Sequence, residues 1–130
     1  MLFRSGRRVD ESTVAWWGTQ NEQVREEALG ENDRVSLEEF SKELNRFVVG
    51  ADRIWAQGPV FDIVILENLY RQLAKPTPWP YYVIRDSRTL LKALGDTRQP
   101  GAMLHNALAD CVSQAQAIQL AVKKYNLTEL

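Results

Sequence analysis

The stretch Arg53-Ile54-Trp55-Ala56-Gln57-Gly58-Pro59-Val60-Phe61-Asp62, with its continuation to Tyr81-Tyr82-Val83-Ile84, decides the fold class. Arg53 to Ala56 is a brief apolar run bounded by Asp52 and Gly58, the pattern of a short buried strand over about residues 53–57. Pro59 suits the first position of a helix, where a missing N–H costs nothing. Phe61, Leu66, Leu69, Tyr70 and Leu73 then recur at helical spacing and predict a helix to about Leu73. In Lys75-Pro76-Thr77-Pro78-Trp79-Pro80 the prolines exclude helix and favour an extended loop. Residues 81–84 read as a second strand. Strand, helix and strand in succession predict two parallel strands joined by a right-handed crossover, an α/β arrangement.

Helical signals surround this unit. Asp10 is a plausible cap for Glu11–Trp17, and Asn21–Leu29 forms a second short helical run ending at Gly30. Ser36-Leu37-Glu38-Glu39 has capping-box spacing, and opens a helix with Leu37, Phe40, Leu44, Phe47 and Val48 on one stripe. Asp86 or Ser87 caps a helix over Arg88–Leu94. The last helix begins near Asn106 and runs to about Tyr125, with Leu108, Cys111, Val112, Ala115, Ile118, Val122 and Tyr125 as its packing stripe. The fold expected is therefore α/β, with two parallel strands and about five helices. Two strands give poor shelter to that many helices.

Composition narrows the function classes. The chain has 130 residues, 45% hydrophobic and 25% charged, which suits one globular domain. A formal net charge of −1 supplies no global basic field for a polyanion. It leaves room for a nuclease, in which bound metals provide local positive charge. The single cysteine, Cys111, excludes an intramolecular disulfide and a cysteine-based zinc site, so a cytoplasmic location is expected. No apolar run approaches the length of a membrane span.

Four groups of residues could carry chemistry. Asp62 lies on the helical line of Leu66, Leu69 and Leu73, where a carboxylate is costly to bury unless it is paired or bound to metal. The bland alternative is a first-turn aspartate that favours the helix dipole. His105 and Asp110 can share a site if His105 precedes the helix and Asn106 caps it; otherwise they are a surface pair. Asp110 heads a small and polar line of Ser113, Gln114, Ala117 and Ala121, suited to close helix packing or to one wall of a cleft. Arg85, Arg88 and Thr89 follow a strand end, where ligands collect in open α/β sheets, and equally suit a solvated helix start. Trp16 and Trp17 are adjacent, so they cannot share one helix face; core packing competes with stacking on a base.

Together these residues resemble the DEDDh 3′–5′ exonucleases of the ribonuclease H-like fold, closest to the bacterial and phage exoribonucleases related to ribonuclease T and oligoribonuclease. His105-Asn106-Ala107-Leu108-Ala109-Asp110, followed by Gln114-Ala115, is similar to that family's third motif. Ile54 to Leu66, with Phe61-Asp62, looks like the second. Arg85-Asp86-Ser87-Arg88-Thr89 and Thr13–Trp17 match features of the narrower group. The resemblance implies a metal-dependent exonuclease acting at 3′ ends of RNA or single-stranded DNA, and releasing nucleoside monophosphates. It implies Mg²⁺ or Mn²⁺ as a two-ion cofactor, Asp62 and Asp110 as metal ligands and His105 as general base. Arg85, Arg88, Thr89, Trp16, Trp17 and Phe61 would then touch substrate. Dimers are common in the family, so a homodimer is an expectation.

The same resemblance implies a first motif, Asp-x-Glu on an N-terminal strand, and no Asp-x-Glu occurs in the sequence. The expectation is a partial ribonuclease H-like domain whose N-terminal strands are absent. Residues 1–8 would be a leader unrelated to the family, with Met1 to Ser5 reading like a translated adapter. Residues 9–130 would be the C-terminal portion of the exonuclease domain. Such a chain would show little or no catalysis alone, and an unpaired edge at Arg53–Ala56. The competing reading is a non-catalytic nucleic-acid-binding or interaction domain.

Overall fold

The computed structural model describes residues 8–32, 34–95 and 106–128. Six α-helices and two strands occupy them: α1 (Glu11–Gly18), α2 (Glu22–Leu29), α3 (Leu37–Val48), β1 (Ile54–Ala56), α4 (Pro59–Gln72), β2 (Ile84–Asp86), α5 (Ser87–Ala93) and α6 (Ala107–Tyr125). The six helical segments read one by one from the sequence all form, against the total of about five given for them. Among the described residues no helix is long and apolar enough to cross a membrane.

The caps follow from side-chain chemistry. Asp10, Asn21, Ser36, Asp86 and Asn106 each place a side-chain oxygen where it accepts a first-turn backbone N–H. Pro59 stands in the first turn of α4 behind Gly58, whose φ of 106° is open to glycine at little cost.

The strands pair in parallel, with Ile54 opposite Ile84, Trp55 opposite Arg85 and Ala56 opposite Asp86. This corrects the second strand, expected over residues 81–84. Tyr81–Val83 instead forms a 3₁₀ turn closed by Val83 N–H on the Pro80 carbonyl, and pairing begins at Ile84. Among the described residues β1 has a single partner strand, so its other edge carries no strand.

Alternation along the strands separates two helical layers. Ile54, Ala56 and Ile84 face a core of Val48, Ile63, Tyr70, Trp79 and Val83, contributed by α3, α4 and the proline loop. Trp55 faces the other core, Leu91, Ala117, Ile118 and Ala121 of α5 and α6. Tyr70 is fully buried, edge-on to Trp79 at 5.8 Å between centroids. Its hydroxyl donates to Asn45 Oδ1 at 2.6 Å and reaches the Ser41 carbonyl at 3.1 Å, joining α4 to α3. Burial pushes the Tyr70 phenol pKa up. Lys75 closes the same junction on Glu38 and Ser41, at 2.7 and 2.8 Å.

Three packing stripes differ from those expected. Phe47 of α3 is 87% exposed, while the small Ser41 is buried in its place. Phe61 of α4 is 71% exposed. On α6 the buried residues are Ala117, Ile118 and Ala121, not Leu108 or Val112. Hydropathy favours the large side chains, but a close helix–helix approach favours the small ones, and α5 lies close against α6.

Candidate active site

Three helices open at the carboxyl end of the two strands. α4 begins two residues after β1 ends, and α5 follows β2 without a break. α6 comes to the same end from a distance. Ser87 Oγ donates to Gln114 Oε1 at 3.0 Å, Leu91 sits in the cluster with Ala117 and Ala121, and Tyr125 Oη donates to the Leu94 carbonyl at 2.9 Å. α5 and α6 therefore run in the same direction, and the N-terminus of α6 lies beside the strand ends. Asp110 stands one turn before Gln114, about 6 Å further along the axis.

Asp62 and Asp110 thus reach one end of the sheet from opposite layers. Asp62 is exposed in the first turn of α4, and Asp110 is half-buried in the first turn of α6. Exposure places Asp62 beside the buried line rather than in it, which fits a first-turn carboxylate near the helix dipole. His105 lies outside the described residues. Asn106 holds the start of α6 doubly: its Oδ1 accepts Ala109 N–H at 2.9 Å, and its Nδ2 donates to Glu27 Oε2 of α2.

The corner after β2 is densely bonded. Asp86 Oδ1 accepts Arg88 N–H at 3.0 Å and Oδ2 accepts the Thr89 hydroxyl at 2.6 Å. The Thr89 bond is the main reason the Asp86 carboxyl is held below the usual carboxylate range; the Arg88, Thr89 and Gly58 amides contribute less. Arg88 Nη2 donates to the Gln57 carbonyl at 3.2 Å. Arg85 turns back on its own strand, with Nη1 donating to the Tyr82 and Ile84 carbonyls at 2.5 and 3.0 Å.

Phe61, Asp62, Arg88 and Thr89 therefore stand in the first turns of the helices that follow the two strands, Arg85 turns back along β2, and Asp110 lies in the first turn of α6. Trp16 and Trp17 are elsewhere, on α1. Their rings meet edge to face at 5.0 Å; Trp16 is 43% exposed and Trp17 half-buried, so neither is a core residue. The sequence marked Ser87 only as a possible cap and a motif position and did not single out Gln57; both fasten this end. Their signal, a hydroxyl and a backbone carbonyl at strand ends, is too common to stand out.

For a divalent ion the described residues are incomplete. Among them no group of three His, Cys, Asp or Glu side chains gathers closely enough to hold a metal. Two carboxylates from opposite layers do not make a two-ion cage. Beside the sheet, Trp55, Cys111, Gln114, Ala115, Ile118 and Gln119 line a cavity of about 300 Å³.

A family model described as the 3′-5′ exoribonuclease Rv2179c-like domain matches residues 2–122. No curated protein and no solved structure matches the chain.

Proposed function

Since the chain belongs to the 3′-5′ exoribonuclease Rv2179c-like family, we propose that it acts on the 3′ ends of RNA. The proposed reaction is hydrolysis of the terminal phosphodiester, releasing a nucleoside monophosphate. The observation that carries this reading is the family match over nearly the whole chain. In support, two acidic residues singled out by motif, Asp62 and Asp110, each stand in the first turn of a helix, α4 and α6.

In this proposal the enzyme is of the DEDDh type. His105 takes the proton of the attacking water, and Asp62 and Asp110 are two of the carboxylates that hold Mg²⁺ or Mn²⁺. Such ions supply charge stabilisation and an activated water when bound. The remaining carboxylates would come from an Asp-x-Glu segment, which the sequence does not contain. The 130-residue chain alone is accordingly proposed to bind RNA 3′ ends and to cleave them weakly or not at all.

The test is a 3′-end degradation assay with Mg²⁺ on a labelled oligoribonucleotide, using Asp110→Ala as control. Slow or undetectable release of nucleoside monophosphates is expected from the isolated chain. Vigorous cleavage abolished by Asp110→Ala would refute the claim of incompleteness. RNA binding that is absent under all salt conditions would refute the substrate assignment.

A further inference from the structure

Tyr81 and Tyr82 stand outside both cores. Their side chains are 85% and 65% exposed. The rings meet edge to face, with centroids 5.6 Å apart and planes 82° apart, so each offers its face in a different direction. The residues that flank this turn are buried: Trp79 and Val83 belong to the core that holds Tyr70. Val83 N–H bonds to the Pro80 carbonyl at 3.3 Å, and the Thr77 hydroxyl donates to the Trp79 carbonyl at 3.3 Å. Pro76, Pro78 and Pro80 fix φ along the approach. The tyrosines are therefore held outward by a stiff loop anchored on both sides. A ligand that covers them orders little beyond two χ angles each.

A cation lies beside them. Arg85 Nη1 donates to the Tyr82 and Ile84 carbonyls, which fixes the guanidinium against the tyrosine turn. Both acceptors are carbonyls, so these bonds leave its charge, and the donors on Nε and Nη2, for another partner. Tyr81 and Tyr82 precede β2, whereas α5, with Arg88 and Thr89 in its first turn, follows it. Ile84 to Asp86 spans about 7 Å. Tyr82, Arg85 and the start of α5 thus succeed one another along one short strand.

Exposed aromatic faces next to a fixed guanidinium suit a single strand, whose bases stack on the rings while a phosphate meets the cation. We propose that Tyr81, Tyr82 and Arg85 form a stacking platform that holds RNA a few nucleotides before its 3′ end. The placement relative to the 3′ end rests on the function proposed above; the stacking does not.

Binding of an oligouridylate in EDTA, which prevents metal-dependent cleavage, tests it. Linear and circular forms of one length are compared, because a circle has no 3′ end. Tyr81→Leu and Tyr82→Leu keep apolar bulk and remove the ring face. Each should weaken binding of both forms by about five- to a hundredfold, with Tyr81→Phe and Tyr82→Phe close to wild type. The side chains are exposed, so the urea midpoint should hold across the set. Arg85→Ala should make the slope of log K against log salt shallower by about 0.7. Wild-type chain should bind the linear form more tightly than the circle.

Linear RNA bound equally well by wild type and both leucine variants overturns the platform and leaves 3′-end hydrolysis standing. Tyrosine-dependent binding that is as tight for the circle as for the linear form upholds the stacking and overturns its placement before a 3′ end. An unaltered salt slope in Arg85→Ala overturns the part given to the cation. A wild-type dimer that Tyr82→Leu dissociates would make the pair a protein contact and overturn the platform. If wild-type chain binds neither form, platform and RNA reading fall together.

Discussion

Removing the more exposed partner of the Ser87–Gln114 bond should do more harm than removing the buried one. Ser87 is fully buried, and its hydroxyl donates to Gln114 Oε1 at 3.0 Å. Gln114 is half-buried and lines the cavity beside Trp55. In Ser87→Ala the stranded Gln114 oxygen turns to water in that cavity, so the cost is about 0.5–1 kcal/mol. Gln114→Met conserves length and flexibility but leaves the Ser87 hydroxyl sealed without its partner. That costs about 1–3 kcal/mol, the desolvation penalty of an unpaired buried polar group.

The double variant, Ser87→Ala with Gln114→Met, strands nothing and should be more stable than Gln114→Met alone. Urea denaturation of the four proteins measures the cycle, provided the m-values agree. The reasoning is refuted if Ser87→Ala is the more damaging single change, or if the double variant is the least stable of the set. The bond fixes the register of α6 against the start of α5, one turn from Asp110.

Three other outcomes follow from described contacts. Gly58→Ala should destabilise the chain by about 1–2 kcal/mol in chemical denaturation, because a side chain at φ 106° is strained even though the space for a Cβ is open. Tyr70→Phe, losing the hydroxyl's bonds to Asn45 and Ser41, should cost about 1 kcal/mol and lower the melting temperature by a few degrees. On acidification, Asp86, with its depressed pKa, contributes stability that is present above the ordinary aspartate pKa and is lost as pH falls through the folded value. A titration of stability should decline below about pH 4, and Asp86→Asn should flatten part of that decline; an identical profile would remove Asp86 from the account. Glu38, depressed mainly by its bond from Lys75, acts in the same sense.

The βαβ unit was legible because its punctuation is local. Pro59 starts α4, three prolines end any helix before residue 81, and Asp10, Ser36 and Asn106 cap as their chemistry predicts. The start of β2 was not legible. Tyr81 and Tyr82 have strand-forming side chains, yet they stand 85% and 65% exposed in a turn set by Pro80. What selects Ile84 is pairing with Ile54, a tertiary choice that no local window contains.

The packing faces failed for a related reason. Phe47, Phe61 and Leu108 look like core by hydropathy, but α6 meets α5 through Ala117 and Ala121, whose size rather than apolarity decides the contact. Asp62 and Asp110 stood out by motif; the structure puts Asp62 in the first turn of α4 and Asp110 in the first turn of α6, one turn before the Gln114 that meets the start of α5. The reach of Arg88 across to the Gln57 carbonyl was invisible, since an arginine in the first turn of a helix reads as solvated until the neighbouring turn is seen across from it.

The cavity wall also holds the molecule's sole thiol. Cys111 is exposed, stands next to Asp110 on α6, and shares the cavity with Trp55. A maleimide dye would therefore attach at one known place without any engineered cysteine. Its emission would report on whatever enters the space beside Trp55, and its rate of attachment would show how often that space is covered. The chain thus carries its own labelling site for following in real time what enters that space.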